Sequence, residues 1–187
     1  MIENIYIEHT ISNNKIVKDI IKKIKAKNII KCDSYREIFN LKKQNFILQK
    51  KNPSMILAQK KNNLVLKTPA KFNIGSKNNY YFSHMLNCLF DCEYCFLQGM
   101  YRSANYVIFT NYHSFKSEIK KISEFHKNEA VHFFSGYDCD SLALENITSF
   151  AKVFIPYFKK IKNAYLELRT KSTNIKNILA FEPSDNI

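Results

Sequence analysis

The sequence predicts an α/β protein built from a small basic α/β unit over residues 1–77 and a parallel sheet or part of a (βα) barrel over residues 78–187. Two observations predict this fold. In the second part, short apolar runs alternate with amphipathic helical segments, which is the order of βα units in a parallel sheet. Residues 60–77 form a polar segment that contains proline and glycine. Such a composition is typical of a connection, so this segment is predicted to separate the two parts.

The first part contains one clear helix and several short elements. Residues 14–27 (NKIVKDIIKKIKAK) place isoleucine and valine at helical spacing with lysines on the opposite face, so they predict an amphipathic helix. NIIKC (28–32) predicts a strand, and SYREIFNLKK predicts a second helix capped by Asp33 or Ser34. NFILQKK and SMILAQK, on either side of Pro53, are predicted to be extended.

The second part is predicted to contain four strands and two long helices. The strands are YYFSHML (80–86), NYVIFTN (105–111), VHFFS (131–135) and YLELRTK (165–171). The helices cover residues 114–127, with Phe115, Ile119, Ile122 and Phe125 inward, and residues 142–163, with Pro156 as a kink. TNIKNILAF is predicted to begin a further helix. This order implies a parallel sheet or part of a barrel.

The net charge of +13 is unevenly placed along the chain. Residues 1–77 hold 17 Lys and Arg against 5 Asp and Glu, whereas residues 78–187 hold 12 against 11. A one-sided basic segment is typical of a protein that binds a polyanion, and a phosphate backbone is the usual partner. DNA is therefore a predicted partner, although a solvated lysine-rich face gives the same pattern.

The sequence indicates a cytoplasmic protein without a membrane partner. No apolar run is long enough to span a bilayer, and MIENIYIEHTISNN lacks the charged and then apolar profile of a secretory signal. In a reducing compartment, five cysteines of which three are clustered indicate metal-binding or reactive thiols rather than disulfides.

The clustered thiols lie in the stretch NCLFDCEYCFLQG. They are Cys88, Cys92 and Cys95. A structural zinc site takes four ligands, and neither His84 nor Cys139 completes a familiar zinc spacing with them. Iron–sulfur clusters are held by thiolates, normally four. Three thiolates leave one iron of a four-iron cluster open to a small molecule, so this cluster is the favoured interpretation and structural zinc is the alternative.

The spacing Cys-x3-Cys-x2-Cys, with Tyr94 before the third cysteine, resembles that of radical S-adenosylmethionine (SAM) enzymes. CEYCFLQGMYRS, FFSGYDCDSLALENIT and LELRTKS together resemble the spore photoproduct lyase family more narrowly, and YIE and LQKKNPSMILAQKK add a weaker similarity. The resemblance implies a partial radical SAM barrel with a [4Fe-4S] cluster, SAM as cofactor, and an electron donor such as flavodoxin or ferredoxin. It also implies cleavage of SAM to a 5′-deoxyadenosyl radical for the repair of pyrimidine damage in DNA.

The resemblance implies roles for individual residues as well. The three clustered cysteines are implied as the metal ligands, and Tyr94 is implied to pack beside the adenine of SAM. The remaining implied SAM contacts are Ser135, Gly136, Asp140, Ser141, Glu167, Arg169 and Lys171. The two-residue period of YLELRTK places Glu167 and Arg169 on one polar face, which favours a lined cavity. Two alternatives stay open: an internal ion pair of Glu167 with Arg169, and a helix cap formed by Asp140 and Ser141.

The resemblance has two departures near the predicted catalytic residues, Cys139 and Tyr94. In the family, a cysteine in the loop after the VHFFS-type strand and tyrosines on both sides of the third cluster cysteine are associated with hydrogen-atom return to the substrate. Here Phe96 replaces one tyrosine, and Cys139 is offset by about two positions, with Tyr137 in the expected place. Cys139 is thus either the donor or a small buried thiol. These departures favour a radical SAM enzyme with another substrate as an alternative.

The second part is short for a barrel. A (βα) barrel usually takes more than ~200 residues, and about 110 residues follow the connection. The sequence therefore predicts an incomplete barrel, corresponding to the amino-terminal portion of the family, with an exposed parallel edge. A second chain that completes the barrel is a further predicted partner. A truncated, catalytically silent protein that binds metal and nucleic acid is the last alternative.

Overall fold

The structure, a computed structural model, describes residues 2–187. These residues divide into two compact units, one formed by residues 2–60 and 84–111 and the other by residues 61–83 and 112–187. The chain therefore passes between the units three times, whereas the sequence suggested one boundary near residue 77. None of the helices described is both long enough and apolar enough to cross a membrane.

Nine strands and seven α-helices are found within residues 2–187. The strands are β1 (Asn4–Glu8), β2 (Asn28–Cys32), β3 (Met55–Ala58), β4 (Leu66–Lys67), β5 (Asn78–Phe82), β6 (Met85–Leu86), β7 (Tyr106–Phe109), β8 (Val131–Ser135) and β9 (Ala164–Leu168). The helices are α1 (Lys15–Ile24), α2 (Tyr35–Phe39), α3 (Phe46–Lys51), α4 (Leu97–Met100), α5 (Tyr112–Phe125), α6 (Glu145–Thr148) and α7 (Phe150–Phe158).

The first unit is built on a five-stranded sheet of order β2-β1-β3-β7-β6. Strands β2, β1, β3 and β7 are parallel to one another, and β6 is antiparallel to β7. All four residues of β3 are fully buried, as expected for a central parallel strand covered on both faces. Helix α1 begins after Asn14, whose side chain accepts a hydrogen bond from the Ile16 backbone at 2.8 Å, and it buries Val17 and Ile20. The predicted amphipathic helix is confirmed.

The second unit is built on a four-stranded sheet of order β4-β5-β8-β9. Strands β5, β8 and β9 are parallel, and β4 pairs antiparallel with β5. One sheet face is covered by α5 and α7 through an aromatic core, in which the Phe82 ring centroid lies 6.1 Å from that of Phe115 and 5.6 Å from that of Phe154. The parallel sheets confirm the predicted fold class, a mixed α/β protein with a partial barrel.

Strand β9 lies at the edge of this sheet, as the incomplete barrel predicts. The edge is covered at one point by Asn186. Its backbone carbonyl accepts a hydrogen bond from the Leu166 backbone at 2.9 Å, and its amide donates to the carbonyl of Ala164 at 3.0 Å. These bonds satisfy polar groups of the outer side of β9 that a neighbouring strand would otherwise pair.

Several element predictions were wrong. NFILQKK forms α3 instead of a strand, because Asn45 caps it by accepting a hydrogen bond from the Leu48 backbone at 3.0 Å. The helix predicted over 142–163 breaks at Ser149, which has a φ of 52°, and Pro156 lies inside α7. Phe125 is 83% exposed and does not face inward. TNIKNILAF forms turns and no helix.

The strand NYVIFTN was also assigned to the wrong sheet. It was predicted as a strand of the barrel, but β7 pairs with β3 in the first unit. The barrel sheet instead uses β5, which pairs in parallel with β8 over all five residues. The apolar pattern of a buried strand is the same in either sheet, so the sequence could not choose between them.

Candidate functional site

The cysteine loop belongs to the first unit and connects β6 with β7. Asn87 begins it with a φ of 67°, and its amide donates hydrogen bonds of 2.7 Å to the carbonyls of Ser103 and Asn105. One side chain thus joins the two ends of the loop. Asparagine tolerates the left-handed conformation better than most residues, which explains its use at this position.

The three predicted metal ligands lie in this loop as partly exposed cysteines, none of them in a disulfide. The backbone turns between the second and third: Cys95 N–H donates to the Cys92 carbonyl at 2.9 Å, and α4 follows immediately. The rings on either side of Cys95 are open to solvent, with Tyr94 77% and Phe96 59% exposed. The loop therefore presents its thiols and aromatic rings outward and does not bury them.

The donor chemistry of the loop fits an iron–sulfur cluster. Three thiols stand in one short segment, and thiolates are the ligands that such clusters use. Within residues 2–187, no three His, Cys, Asp or Glu side chains are arranged around a single metal position. His84, considered as a zinc ligand, is 1% exposed, and burial lowers its pKa to about 3.

The other predicted cofactor residues belong to the second unit, at the carboxyl ends of β8 and β9. Gly136 follows β8 with a φ of 75°. A Cβ there would lie 2.7 Å from the Ser141 Oγ and 2.8 Å from the Cys139 carbonyl oxygen. The loop folds so closely onto this residue that only glycine fits.

Ser135 and Ser141 are almost fully buried, and their hydroxyls bond to each other and to the backbone of β9 and of the residue that follows it. The Ser135 hydroxyl donates to the Glu167 carbonyl at 2.8 Å, and the two serine Oγ atoms lie 2.8 Å apart. The Ser141 Oγ accepts from the Arg169 backbone at 3.1 Å. These hydroxyls therefore join the ends of β8 and β9.

Asp140, the residue before Ser141, also joins the loops that follow β8 and β9. Its carboxylate accepts hydrogen bonds from the Leu142 backbone at 2.9 Å, the Thr170 hydroxyl at 2.8 Å and the Lys171 backbone at 2.5 Å. Neither Asp140 nor Ser141 caps α6, whose N-cap position is Leu144. The helix-cap alternative was wrong, because both residues connect the loops after β8 and β9 instead.

Glu167 and Arg169 form the ion pair that the sequence left open, although the Arg169 side chain is 66% exposed rather than internal. The Arg169 Nε lies 2.7 Å and its Nη2 2.6 Å from the Glu167 Oε1. The Arg169 guanidinium also lies 6.0 Å from the centroid of the Phe134 ring. Glu167 lines an open cavity of about 490 Å³ along β9, together with His132 and Tyr165. Glu167 thus lies beside space that a ligand could enter.

Cys139, the candidate hydrogen donor, and Tyr137, which occupies the position of the family's cysteine, differ in accessibility. Cys139 is 4% exposed, whereas Tyr137 is 50% exposed. The Tyr137 ring centroid lies 4.6 Å from that of Tyr81. The burial of Cys139 therefore favours the alternative interpretation of this residue as a small buried thiol.

Sequence reasoning missed the residues that hold the cysteine loop, namely Asn87 and two side chains of α3, Gln49 and Lys50. Asn87 carried a weak signal, since an asparagine directly before the first ligand is suited to a left-handed turn. The α3 residues carried none, because their partners lie more than 40 positions away in the chain.

The parallel sheets match part of a radical SAM fold. The spore photoproduct lyase profile matches residues 1–186. The chain therefore belongs to the spore photoproduct lyase family, as the sequence resemblance predicted.

Solved structures give the same fold. A double mutant of spore photoproduct lyase with bound AdoMet and dinucleoside spore photoproduct is 13% identical, with a TM-score of 0.81, over 96% of this chain and 53% of that one. Spore photoproduct lyase complexed with dinucleoside spore photoproduct is 15% identical, with a TM-score of 0.80 and the same coverage. The chain thus spans about half the length of these structures, in their amino-terminal portion. No curated protein matches the chain.

Proposed function

We propose that this chain carries the cluster-binding and SAM-binding part of a radical SAM lyase that repairs pyrimidine damage in DNA. The observation that carries the proposal is the set of three partly exposed cysteines, none of them in a disulfide, in a loop closed by Asn87, in a chain that the family profile matches over residues 1–186. Cys88, Cys92 and Cys95 would hold a [4Fe-4S] cluster. When bound together with SAM, a cluster held by these cysteines would supply the one-electron reduction of the sulfonium that gives methionine and a 5′-deoxyadenosyl radical.

The chain's own residues would bind and orient SAM. Tyr94 offers an exposed ring on which an adenine can stack. Gly136 has no side chain to block the approach of a ligand to its backbone. Glu167 and Arg169 would exchange their mutual ion pair for bonds to the ribose and the carboxylate of SAM, and the exposed Lys171 would add a second cation.

Asp140, Ser135 and Ser141 would act on SAM indirectly. Their polar atoms bond to the backbone of β8, β9 and the loops that follow. We therefore infer that these three residues position Gly136 and Arg169. This assignment replaces the direct contacts that the resemblance implied.

The substrate proposal is DNA with a pyrimidine lesion. It is supported by neighbours solved with dinucleoside spore photoproduct and by the basic first 77 residues. Four lysines of α1, at positions 15, 18, 22 and 23, are exposed. A damaged base is easier to extrude from a duplex than a paired one, by a few kcal/mol, which favours lesion selectivity. DNA binding is expected to weaken steeply between low and physiological salt.

A radical SAM enzyme with another substrate is the second candidate, favoured by Phe96 and by the burial of Cys139. Product analysis on oligonucleotides that contain thymine dimers or spore photoproduct separates the two. A flavodoxin or ferredoxin as electron donor, and a second chain paired to β9, remain part of the proposal. A silent protein with a structural metal is the third candidate and predicts no SAM binding.

The deciding experiment is electron paramagnetic resonance on anaerobically purified, iron- and sulfide-reconstituted protein, with and without SAM. A four-iron signal that shifts when SAM is added supports the proposal, because the shift requires an open iron. A signal that ignores SAM, or no cluster at all, contradicts it and leaves the silent metal-binding protein.

A further inference from the structure

We propose that Lys50 of α3 is a positioning residue of the cysteine loop, which holds the loop in place and supplies a positive charge beside its thiolates. This inference deepens the proposed function, on which it rests for the role of the charge. The contacts that carry it lie within the first unit, between α3 and the segment that contains the three cysteines.

Three side chains of α3 face the loop. Phe46, Gln49 and Lys50 stand three and four positions apart, which places them on one side of a helix. Lys51 lies on the opposite side and is exposed. The helix is fixed at its start by the Asn45 cap, so its inward side chains approach the loop from a defined direction.

Lys50 joins two points of the loop. Its ammonium bonds to the Asp91 carboxylate and donates to the Gln98 side-chain carbonyl at 2.8 Å. Asp91 directly precedes the second cysteine, and Gln98 lies in α4, three residues after the third. The Gln98 amide also reaches the Phe90 carbonyl at 3.4 Å. Asp91 and Gln98, which lie on either side of the second and third cysteines, therefore bind the same ammonium group.

Gln49 holds the far end of the same loop. Its side-chain oxygen accepts from the Ala104 backbone at 2.9 Å and from the Ser103 hydroxyl at 3.4 Å. The Gln49 amide donates to Gln44 at 2.7 Å, which keeps the side chain oriented. Helix α3 thus contacts the loop both near the cysteines and near its end.

Lys50 also lies near the first cysteine. Lys50 and Cys88 line one small cavity of about 20 Å³, together with Phe46, Phe90 and Leu97. Reduction adds negative charge to a cluster, and a nearby cation favours the reduced state. Net charge and hydrogen bonds around the sulfurs are the features that set the potentials of such clusters. Lys50 is therefore expected to raise the reduction potential.

The test compares Lys50→Met with Lys51→Met, which removes the same charge from the other side of the same helix, and with Lys50→Arg, which keeps the charge. In metal-free protein, hydrogen exchange of the amides of residues 88–100 should become about two- to fivefold faster in Lys50→Met, as expected for the loss of a partly exposed ion pair. Lys51→Met should leave it unchanged. In reconstituted protein, the cluster potential of Lys50→Met should be more negative, whereas those of Lys51→Met and Lys50→Arg should stay near wild type.

Equal exchange rates in Lys50→Met and Lys51→Met would overturn the proposal. Faster exchange without a change of potential would also overturn it, since Lys50 would then have only a structural role. If wild-type protein formed no cluster, the proposed function would fail by itself, and the exchange comparison in metal-free protein would still decide whether Lys50 holds the loop.

Discussion

The loop after β6 and the loop after β8 contain the predicted functional residues, and they differ in how their polar groups are satisfied. In the first, the thiols are partly exposed and outside any disulfide, and the loop is held by Asn87 and α3. In the second, Asp140 and Ser141 are buried, and their polar atoms bond to the protein's own backbone. The first loop thus keeps its reactive groups available for a ligand, whereas the second uses its polar groups to fix its own conformation.

The largest effect is expected from removing one thiol of the open loop. In Cys92→Ala, iron after reconstitution should fall from about four per chain to below about one, because two thiolates are too few to retain a cluster. Cys139→Ala, which removes a buried thiol of the closed loop, should keep its iron. Iron and sulfide assays on both variants test this difference, and equal iron contents would contradict the assignment of the ligands.

The closed loop should respond most strongly to a change at Gly136. Gly136→Ala requires a left-handed alanine and a Cβ within 3.0 Å of backbone atoms, so it should lower the free energy of unfolding by about 2–4 kcal/mol. Gly99→Ala is the matched control, because no atom outside its chain neighbours and its own helix backbone lies within 4 Å of its Cβ position. It should change stability by less than about 1 kcal/mol. Urea unfolding measures both, and equal stabilities would show that the loop after β8 is not closely packed.

The cysteine loop and the periodic elements could be predicted from sequence because their signals are local. The spacing of Cys88, Cys92 and Cys95 is visible directly, and α1 and β8 follow from apolar periodicity. Helix α3 could not be found, since six residues carry little periodicity and its Gln49 contacts come from tertiary structure.

Two features needed long-range information. The assignment of β7 to the first sheet depends on its pairing with β3, some 50 residues earlier. Polar residues such as Asp140 and Ser141, in a loop after a strand, can either bind a ligand or stabilise the loop. Only their hydrogen-bond partners after β9 distinguish the two roles. The sequence pattern therefore located both loops, but it could not show in which of them the polar groups bond to the protein itself.

A direct test of that distinction is Asp140→Asn. The amide keeps one acceptor oxygen where three hydrogen bonds converge, so the free energy of unfolding should fall by about 1–3 kcal/mol. Asp138→Asn, at a half-buried position in the same loop, is the control and should cost less. If Asp140→Asn kept full stability but lost SAM binding by calorimetry, Asp140 would be a direct ligand contact and the contrast between the loops would disappear.

The smallest effect concerns the buried residue that precedes the open loop, His84. Burial lowers its pKa to about 3 in the folded protein, whereas an unfolded histidine titrates near ~6.5. Between these values the unfolded chain binds a proton that the folded chain does not. This contribution to stability is therefore present above pH ~6.5 and is lost as the pH falls, by about 1.4 kcal/mol per pH unit.

In metal-free protein, unfolding by urea at pH ~7.5 and ~5.5 should show this loss in wild type. His84→Gln should be less stable at both pH values, with a pH dependence smaller by about 1 kcal/mol, because glutamine does not titrate. His113→Gln, at an exposed position, should keep the wild-type pH dependence. An unchanged pH dependence in His84→Gln would mean that the start of the cysteine loop is as open to water as the thiols, which would extend the open region back into β6.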